Sequence, residues 1–276
     1  MTTMTTEAHA KVNFTLEVFG VRSDGYHALR SLVVPVTLSD KLVIEPDDVL
    51  SSDTGYPDDL VLKAARALDP SRGARIHVEK RIPAGGGLGG GSADAAATLV
   101  ALNEMWGLGH SRDTLAGIGA MVGSDVPALV LGGPVVMRGR GEMVERAECP
   151  SLDLVIANPG VHTSTRDVYA LAGVRDASAP SATAACLDAL ASGDLGRIAD
   201  SFANDLADPA RRLHPEIVHA LASLQEAGAL GAAMSGSGSS VFGLAESAER
   251  ASDIAASLRA GGFSAWAVRT VAGDMV

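Results

Sequence analysis

The feature that most limits what this chain can become is Arg81-Ile82-Pro83-Ala84-Gly85-Gly86-Gly87-Leu88-Gly89-Gly90-Gly91-Ser92-Ala93-Asp94-Ala95-Ala96. Six glycines fall within the seven positions 85–91. A backbone without Cβ atoms over that length must turn tightly or let another group approach it closely. Behind the glycines, residues 92–106 read as a helix. Leu99, Leu102 and Met105/Trp106 recur at helical spacing, and Ala95 to Ala97 favour helix. Ahead of them, Ile76, Val78 and Ile82 alternate with polar residues as a half-buried strand does, with Lys80 the exception. Strand, bare turn and helix start together make an anion site. First-turn N–H groups lack partners within the helix, the macrodipole adds positive charge there, and glycines admit a phosphate to both. A flexible linker would lack the periodic flanks. The stretch has no lysine in the P-loop position and no acidic ribose partner at dinucleotide-fold spacing. Protein-kinase HRD and DFG signatures are absent from the sequence.

Charge and composition narrow the rest. The 276 residues suffice for one large domain or two medium ones. A formal charge of −11 argues against nucleic-acid binding, which needs clustered Lys and Arg. An anionic ligand therefore has to be met by a locally built positive site. With 47% hydrophobic but 4% aromatic residues, the core must be mainly Ala, Val, Leu and Ile. Cys149 and Cys186 have neither metal nor redox spacing and read as thiols in a reducing compartment. Residues 1–10 carry no signal-peptide pattern, and the apolar run 126–137 is broken by Gly132-Gly133-Pro134 and too short to span a bilayer. The expectation is a soluble, cytoplasmic protein.

Taken in order, residues 9–20 alternate as a strand, with Val12, Phe14, Leu16 and Val18 on one face and Lys11, Asn13 and Thr15 on the other. A lone strand lysine is most often a solvated charge. Asp24-Gly25 is a turn signal that presents Tyr26 and His27, a pair able to stack on and hydrogen-bond a flat ring but equally at home in a strand. Strands follow at 32–38 and 41–45, then a helix at 58–68 with Asp58 and Asp59 in its first turn. Ser111 caps a helix to Val122. In Gly123-Ser124-Asp125-Val126-Pro127 a short helix opens, and an Asp there is more often a cap than a catalyst. A tight turn at Gly139-Arg140-Gly141-Glu142 and an apolar strand at 152–157 bracket a domain boundary near residue 150. Beyond it Thr165 caps a short helix containing Tyr169, helices read at 181–191, 195–206, 215–227 and 246–260, and strands at 241–244 and 263–271. A second glycine cluster, Met234-Ser235-Gly236-Ser237-Gly238-Ser239-Ser240, precedes the first of those strands.

These segments together resemble the GHMP small-molecule kinase superfamily. The resemblance covers nearly the whole chain and rests on Ala10-Lys11-Val12-Asn13, Asp24-Gly25-Tyr26-His27, the 82–92 stretch, Gly123-Ser124-Asp125-Val126-Pro127, Gly139-Arg140-Gly141-Glu142, Asn204-Asp205-Leu206 and Met234-Ser235-Gly236-Ser237-Gly238. The glycine loop carries the superfamily; the Tyr-His pair and the Asp-Val-Pro segment point to its branch acting on a cytidine-diphosphate sugar alcohol.

The resemblance implies an α+β, two-domain GHMP kinase fold with the active site in the inter-domain cleft. Residues 1–150 would form the N-terminal ATP-binding domain and 151–276 a ferredoxin-like C-terminal one. The implied activity is ATP-dependent phosphorylation, with Mg²⁺, of the 2-hydroxyl of cytidine-diphosphate methylerythritol in non-mevalonate isoprenoid biosynthesis. Lys11 and Asp125 resemble the catalytic pair, which reverses the bland reading of each. Pro83, Ala84, Gly85, Gly86, Gly87, Leu88, Gly89, Gly90, Gly91, Ser92 and Ala93 resemble the ATP-phosphate loop, with Ser92 the hydroxyl near phosphate or metal; no metal ligand set is otherwise implied. Tyr26 and His27 resemble the cytidine clamp, with Tyr169 on the base's opposite face, and Asn13 and Thr165 contact the sugar or diphosphate. The chain departs from the family at Asp59, where an Asn commonly contacts adenine, and at Val33 and Val34, where an aromatic is common near the methylerythritol end. The rivals are another GHMP kinase, acting on homoserine, mevalonate or a sugar, and a non-catalytic nucleotide-binding regulator. The partner is a small molecule, with no nucleic acid or membrane, on a monomer or weak homodimer.

Overall fold

The computed structural model describes residues 2–271. Its first structural unit is a long antiparallel hairpin, β1 (Met4–Val21) and β2 (His27–Pro46), in which Lys11 lies opposite Pro35 and Asn13 opposite Val33. The two strands read from sequence at 32–38 and 41–45 are one, because β2 runs through residues 39 and 40 while still pairing with β1. The expected face of Val12, Phe14, Leu16 and Val18 is buried, but so is the other: Lys11, Asn13, Thr15 and Glu17 are each under 5% exposed. Polar residues inside a strand covered on both sides must find partners; of these four, Lys11 and Asn13 line the cleft.

Around the hairpin the chain adds β3 (Ser51–Ser52), α1 (Leu60–Leu68), β4 (Ala74–Glu79), α2 (Gly90–Met105), α3 (Arg112–Gly119), α4 (Val126–Leu131), β5 (Val135–Gly139) and β6 (Met143–Arg146). Asp59 is the N-cap of α1, its Oδ1 accepting from the N–H of Val61 and Leu62, so the acids read as first-turn residues stand just outside the helix. Helix α2 begins at Gly90, two residues before the expected start, because Gly89 holds the left-handed conformation (φ 71°) that ends the loop. Apolar residues of α2 such as Leu99 and Leu102 pack against the sheet and α1.

The second half contributes β7 (Asp153–Asn158), α5 (Thr165–Leu171), α6 (Ala182–Ser192), α7 (Leu195–Asp200), β8 (Ala203–Asn204), α8 (Ala207–Leu213), α9 (Glu216–Glu226), β9 (Gly231–Met234), β10 (Val241–Leu244), α10 (Ala248–Ala260) and β11 (Ser264–Arg269). Three sequence readings need correcting here. The helix expected over 195–206 stops at Asp200, because Ala203 and Asn204 pair in parallel with Thr15 and Leu16 of β1. Helix α8, unread in the sequence, opens with Leu206 at its cap position and Pro209 within its first turns. Helix α5 is capped by Ser164, whose Oγ accepts from the N–H of Asp167, rather than by Thr165.

Two sheets result. The first runs β3-β4-β2-β1-β8, with β5 also on β2 and β6 on β5; the second is the antiparallel β11-β7-β10-β9. They meet through Phe14, Phe202 and Phe242, whose ring centroids lie 4.9–5.6 Å apart. Such pairs contribute about 0.5–1.5 kcal/mol each beyond their buried area. A second tie is Glu17, wholly buried in β1, which accepts from the backbone N–H of Ala182 and Thr183 and from the Thr183 hydroxyl while pairing with Arg30 and Arg175. The first turn of α6 is thereby anchored to the hairpin.

Candidate active site

Between the sheets lies a cleft of about 1310 Å³, larger than the few hundred to about 1,000 Å³ of an ordinary small-molecule pocket and able to hold two ligands. The glycine loop forms one wall. Its carbonyls are held from outside: Leu88 O accepts from Lys11 N (3.0 Å), Gly87 O from Ser235 Oγ (2.9 Å) and Gly86 O from Ser240 N (3.0 Å). The second glycine cluster therefore grips the first, a pairing that no local pattern announces. At Gly87 (φ 76°) the two backbones come so close that a Cβ would lie 2.1 Å from Ser235 O.

Lys11 and Asp125 meet across this wall, Nζ to Oδ2 3.3 Å, with the Lys11 side chain 4% and that of Asp125 30% exposed. Asp125 occupies the N-cap position of α4 yet makes no capping hydrogen bond with its side chain. The carboxylate is left to Lys11 and the cleft, so Asp125 is the cap by position only. A Cβ on Gly89 would lie 3.0 Å from Lys11 Cγ and 3.7 Å from Asp125 Oδ2. The missing side chain is what seats the loop on the pair. Lys11 Nζ also donates to Asn13 Oδ1 (2.7 Å), while Asn13 Nδ2 donates to Ser31 Oγ (2.8 Å). Asn13 lines the cleft with its amide already engaged in orienting the lysine. Ser92 lines it too, and its Oγ lies 3.7 Å from where a Cβ of Gly123 would stand, beside the Ser124-Asp125 segment.

At the other end, Tyr26, His27 and Tyr169 all line the cleft. The His27 and Tyr169 rings are tilted against each other with centroids 5.4 Å apart, and Tyr26 is half exposed. His27 Nδ1 lies 3.3 Å from Phe19 O. A carbonyl only accepts, so Nδ1 carries the hydrogen and Nε2 of the neutral ring is left as an acceptor. Burial, and then the nearby Asp125 charge, push the Tyr169 phenol well above its ordinary range. Thr165 Oγ1 shares a hydrogen bond with Ser237 Oγ (2.8 Å) at the same wall.

Two expected departures resolve simply. Asp59 Oδ2 accepts from the hydroxyls of Ser52 and Thr54 while Oδ1 caps α1, so this carboxylate is committed to holding the loop before the helix. Val33 and Val34 are core residues, each at most 1% exposed, and do not line the cleft.

Alternation left Lys80 as an exception without a role, and its surroundings explain it. The ammonium bridges Asp40 and Asp94, and Asp40 Oδ1 also accepts from the N–H of Arg81 and Ile82 where the chain enters the loop. Burial works against the Lys80 charge, but Asp94 and Asp40 outweigh it and raise its pKa. Burial pushes the Asp94 carboxyl up to about 7 against the pull of Lys80. Asp94 Oδ1 and Thr163 Oγ1 are buried side-chain atoms without a hydrogen-bond partner among the described residues, and both residues line the cleft. Orphaned buried polar atoms are uncommon in folded proteins. No group of three or more His, Cys, Asp or Glu side chains able to hold a metal occurs among the described residues, and no described helix is long and apolar enough to cross a membrane.

Comparison with known proteins agrees with this architecture. The family model for the GHMP kinases N terminal domain matches residues 59–133, and that for GHMP kinases C terminal matches residues 186–263. The class is therefore that of the GHMP small-molecule kinases, which use ATP. A curated relative from Pelotomaculum thermopropionicum, named 4-diphosphocytidyl-2-C-methyl-D-erythritol kinase, is 40% identical over 271 residues, covering 93% of this chain and 94% of its own. A crystal structure of 4-(cytidine 5'-diphospho)-2C-methyl-D-erythritol kinase superposes with a TM-score of 0.86 at 38% identity, covering 98% of this chain and 100% of that one. Homoserine kinase from Cytophaga hutchinsonii shares the fold, with a TM-score of 0.75 at 22% identity over 98% of this chain and 95% of its own. The chain belongs to the 4-diphosphocytidyl-2-C-methyl-D-erythritol kinase family.

Proposed function

We propose that the protein transfers the γ-phosphate of ATP to the 2-hydroxyl of 4-diphosphocytidyl-2-C-methyl-D-erythritol, in non-mevalonate isoprenoid precursor biosynthesis, with residues 1–150 and 151–276 as the two lobes around the reacting groups. The observation that supports this reading is the seating of Gly89 on the Lys11–Asp125 pair, a glycine-rich loop set against a buried ammonium and a carboxylate. The loop from Pro83 to Ala93 receives the ATP phosphates on the first-turn N–H groups of α2.

Phosphoryl transfer proceeds through a loose transition state, so positioning and charge stabilisation supply most of the rate. Asp125 accepts the proton of the attacking hydroxyl. A carboxylate of reference pKa about 3.9 is a weak base toward an alcohol, and it suffices when the proton leaves late and an ammonium stabilises the developing oxyanion. Lys11, buried and held by Asn13, is that ammonium. The Ser92 hydroxyl, which lines the cleft, would help hold a nucleotide-bound Mg²⁺. When bound, the ion would supply neutralisation of the phosphate charge.

The acceptor's cytosine lies at Tyr26, His27 and Tyr169. Stacking is indifferent to the base, so cytosine is selected by hydrogen bonding, with His27 Nε2 accepting from the exocyclic amine. Thr165 and Asn13 line the path of the sugar and diphosphate. The test of the catalytic pair is Asp125→Asn. It is expected to lower kcat by three orders of magnitude or more with the KM for ATP within threefold of wild type; near-wild-type turnover would overturn the assignment.

A further inference from the structure

The turn between β5 and β6 places a cation in the cleft that the proposed chemistry has not used. Arg140 sits at the tip of Gly139-Arg140-Gly141-Glu142, lines the cleft and is half-buried. Its guanidinium lies over the Tyr26 ring, 5.5 Å from the centroid. In a chain of net charge −11, this side chain pairs with no carboxylate among the described residues. Two acids nearby are already committed: Arg22 binds both Asp24 and Glu142, and Glu142 Oε2 accepts from the Arg140 backbone N–H. The Asp24 carboxyl is held low chiefly by the N–H of Tyr26 and by Arg22, with Arg140 a smaller contributor.

The turn is also fixed relative to the reacting groups. A Cβ on Gly141 would fall 2.7 Å from Ser124 O, so the turn backbone rests on the residue preceding Asp125. The turn that carries the guanidinium therefore touches both the Tyr26 ring and the segment leading into Asp125. An acceptor with its base at the first and its hydroxyl at the second must lay its linking diphosphate across that interval.

We propose that Arg140 is a specificity-determining residue whose guanidinium receives the acceptor's diphosphate, so that the cleft prefers a nucleoside diphosphate ester to an uncharged nucleoside. The assignment rests on the cytidine-site reading given above. A planar guanidinium held on an aromatic face presents its N–H fork edge-on, the geometry that binds phosphate oxygens in pairs.

Calorimetric binding of CDP and of cytidine, each in the presence of a saturating non-hydrolysable ATP analogue, tests it. Wild-type protein is expected to bind CDP more tightly than cytidine. In Arg140→Met the CDP affinity should fall at least tenfold while that for cytidine stays within twofold, and Arg140→Lys should recover part of the loss. CDP affinity unchanged in Arg140→Met would overturn the assignment, and so would equal losses for CDP and cytidine, which would mean that Arg140 only orders Tyr26. If wild-type protein bound neither compound, the cytidine-site reading would fail and take the assignment with it.

Discussion

Gly87→Ala isolates the close approach on which the glycine loop depends. Gly87 has φ 76°, and a Cβ there would lie 2.1 Å from Ser235 O, 3.0 Å from Gly238 O and 3.1 Å from Gly238 N, all backbone atoms. A residue with a Cβ gives up about 1–2 kcal/mol in the left-handed region. Backbone atoms cannot rotate away, so the 235–238 segment must retreat by on the order of 1 Å, an overpacking cost of about 1–3 kcal/mol. The sum is about 2–5 kcal/mol, a fall in Tm on the order of 3–9 °C for a protein of this size. The same retreat strains the bonds from Ser235 Oγ to Gly87 O and from Lys11 N to Leu88 O. ADP release should then drop by about a hundredfold, the scale of a reacting group misplaced by about 1 Å. Gly91→Ala is the control. Its Cβ would meet only Leu60 Cδ1, at 3.5 Å, and φ is not positive. Its Tm should equal or exceed that of wild type, since alanine is the better helix former. Thermal unfolding of the two variants side by side decides the matter. A Gly87→Ala protein as stable as wild type would refute the argument that this position needs glycine.

Two further outcomes follow from buried charges. The Asp94 carboxyl is raised to about 7 in the folded protein, so between about pH 4 and 7 the native state holds a proton that the unfolded chain has released. Stability should decline as pH rises through that window, by at most about 1.4 kcal/mol per pH unit from this group, and Asp94→Asn should flatten the decline in urea titrations at pH 4.5, 5.5, 6.5 and 7.5. An unchanged slope in the variant would count against it. Glu17→Ala should cost about 3–5 kcal/mol, the scale for breaking a buried ion pair, because Arg30, Arg175 and the first turn of α6 lose their common partner; a loss under about 1 kcal/mol in denaturant unfolding would show that the link between hairpin and α6 rests elsewhere.

Local pattern revealed the strand, bare turn and helix around residue 89, because all three are written in neighbouring residues. It misjudged Lys11 because alternation reports which residues share a face, and says nothing of what later covers that face. Here the glycine loop and residues 235–240 cover it, the latter more than 200 positions away. Asp125 does stand where a helix cap belongs, and only the absent capping bond separates it from an ordinary cap. The helix overrun at 195–206 has the same origin: Asn204 reaches Met234 O and Gly236 O, and Asp205 accepts from Val18 N, long-range bonds that break the helix without a local signal. Lys80 was visible as a break in alternation, but its partners Asp40 and Asp94 lie 40 residues before it and 14 after. Arg140 had a turn signal and a charge; its place over Tyr26 required the fold.

The measurement that bears most directly on the proposed function is ADP release with a panel of acceptors: 4-diphosphocytidyl-2-C-methyl-D-erythritol, methylerythritol phosphate, homoserine and mevalonate. Turnover is expected with the cytidylated compound, with kcat/KM at least a hundredfold above every other member of the panel. Turnover with homoserine or mevalonate but not with the cytidylated compound would contradict the acceptor site proposed at Tyr26, His27 and Tyr169 and leave only a kinase with a different acceptor.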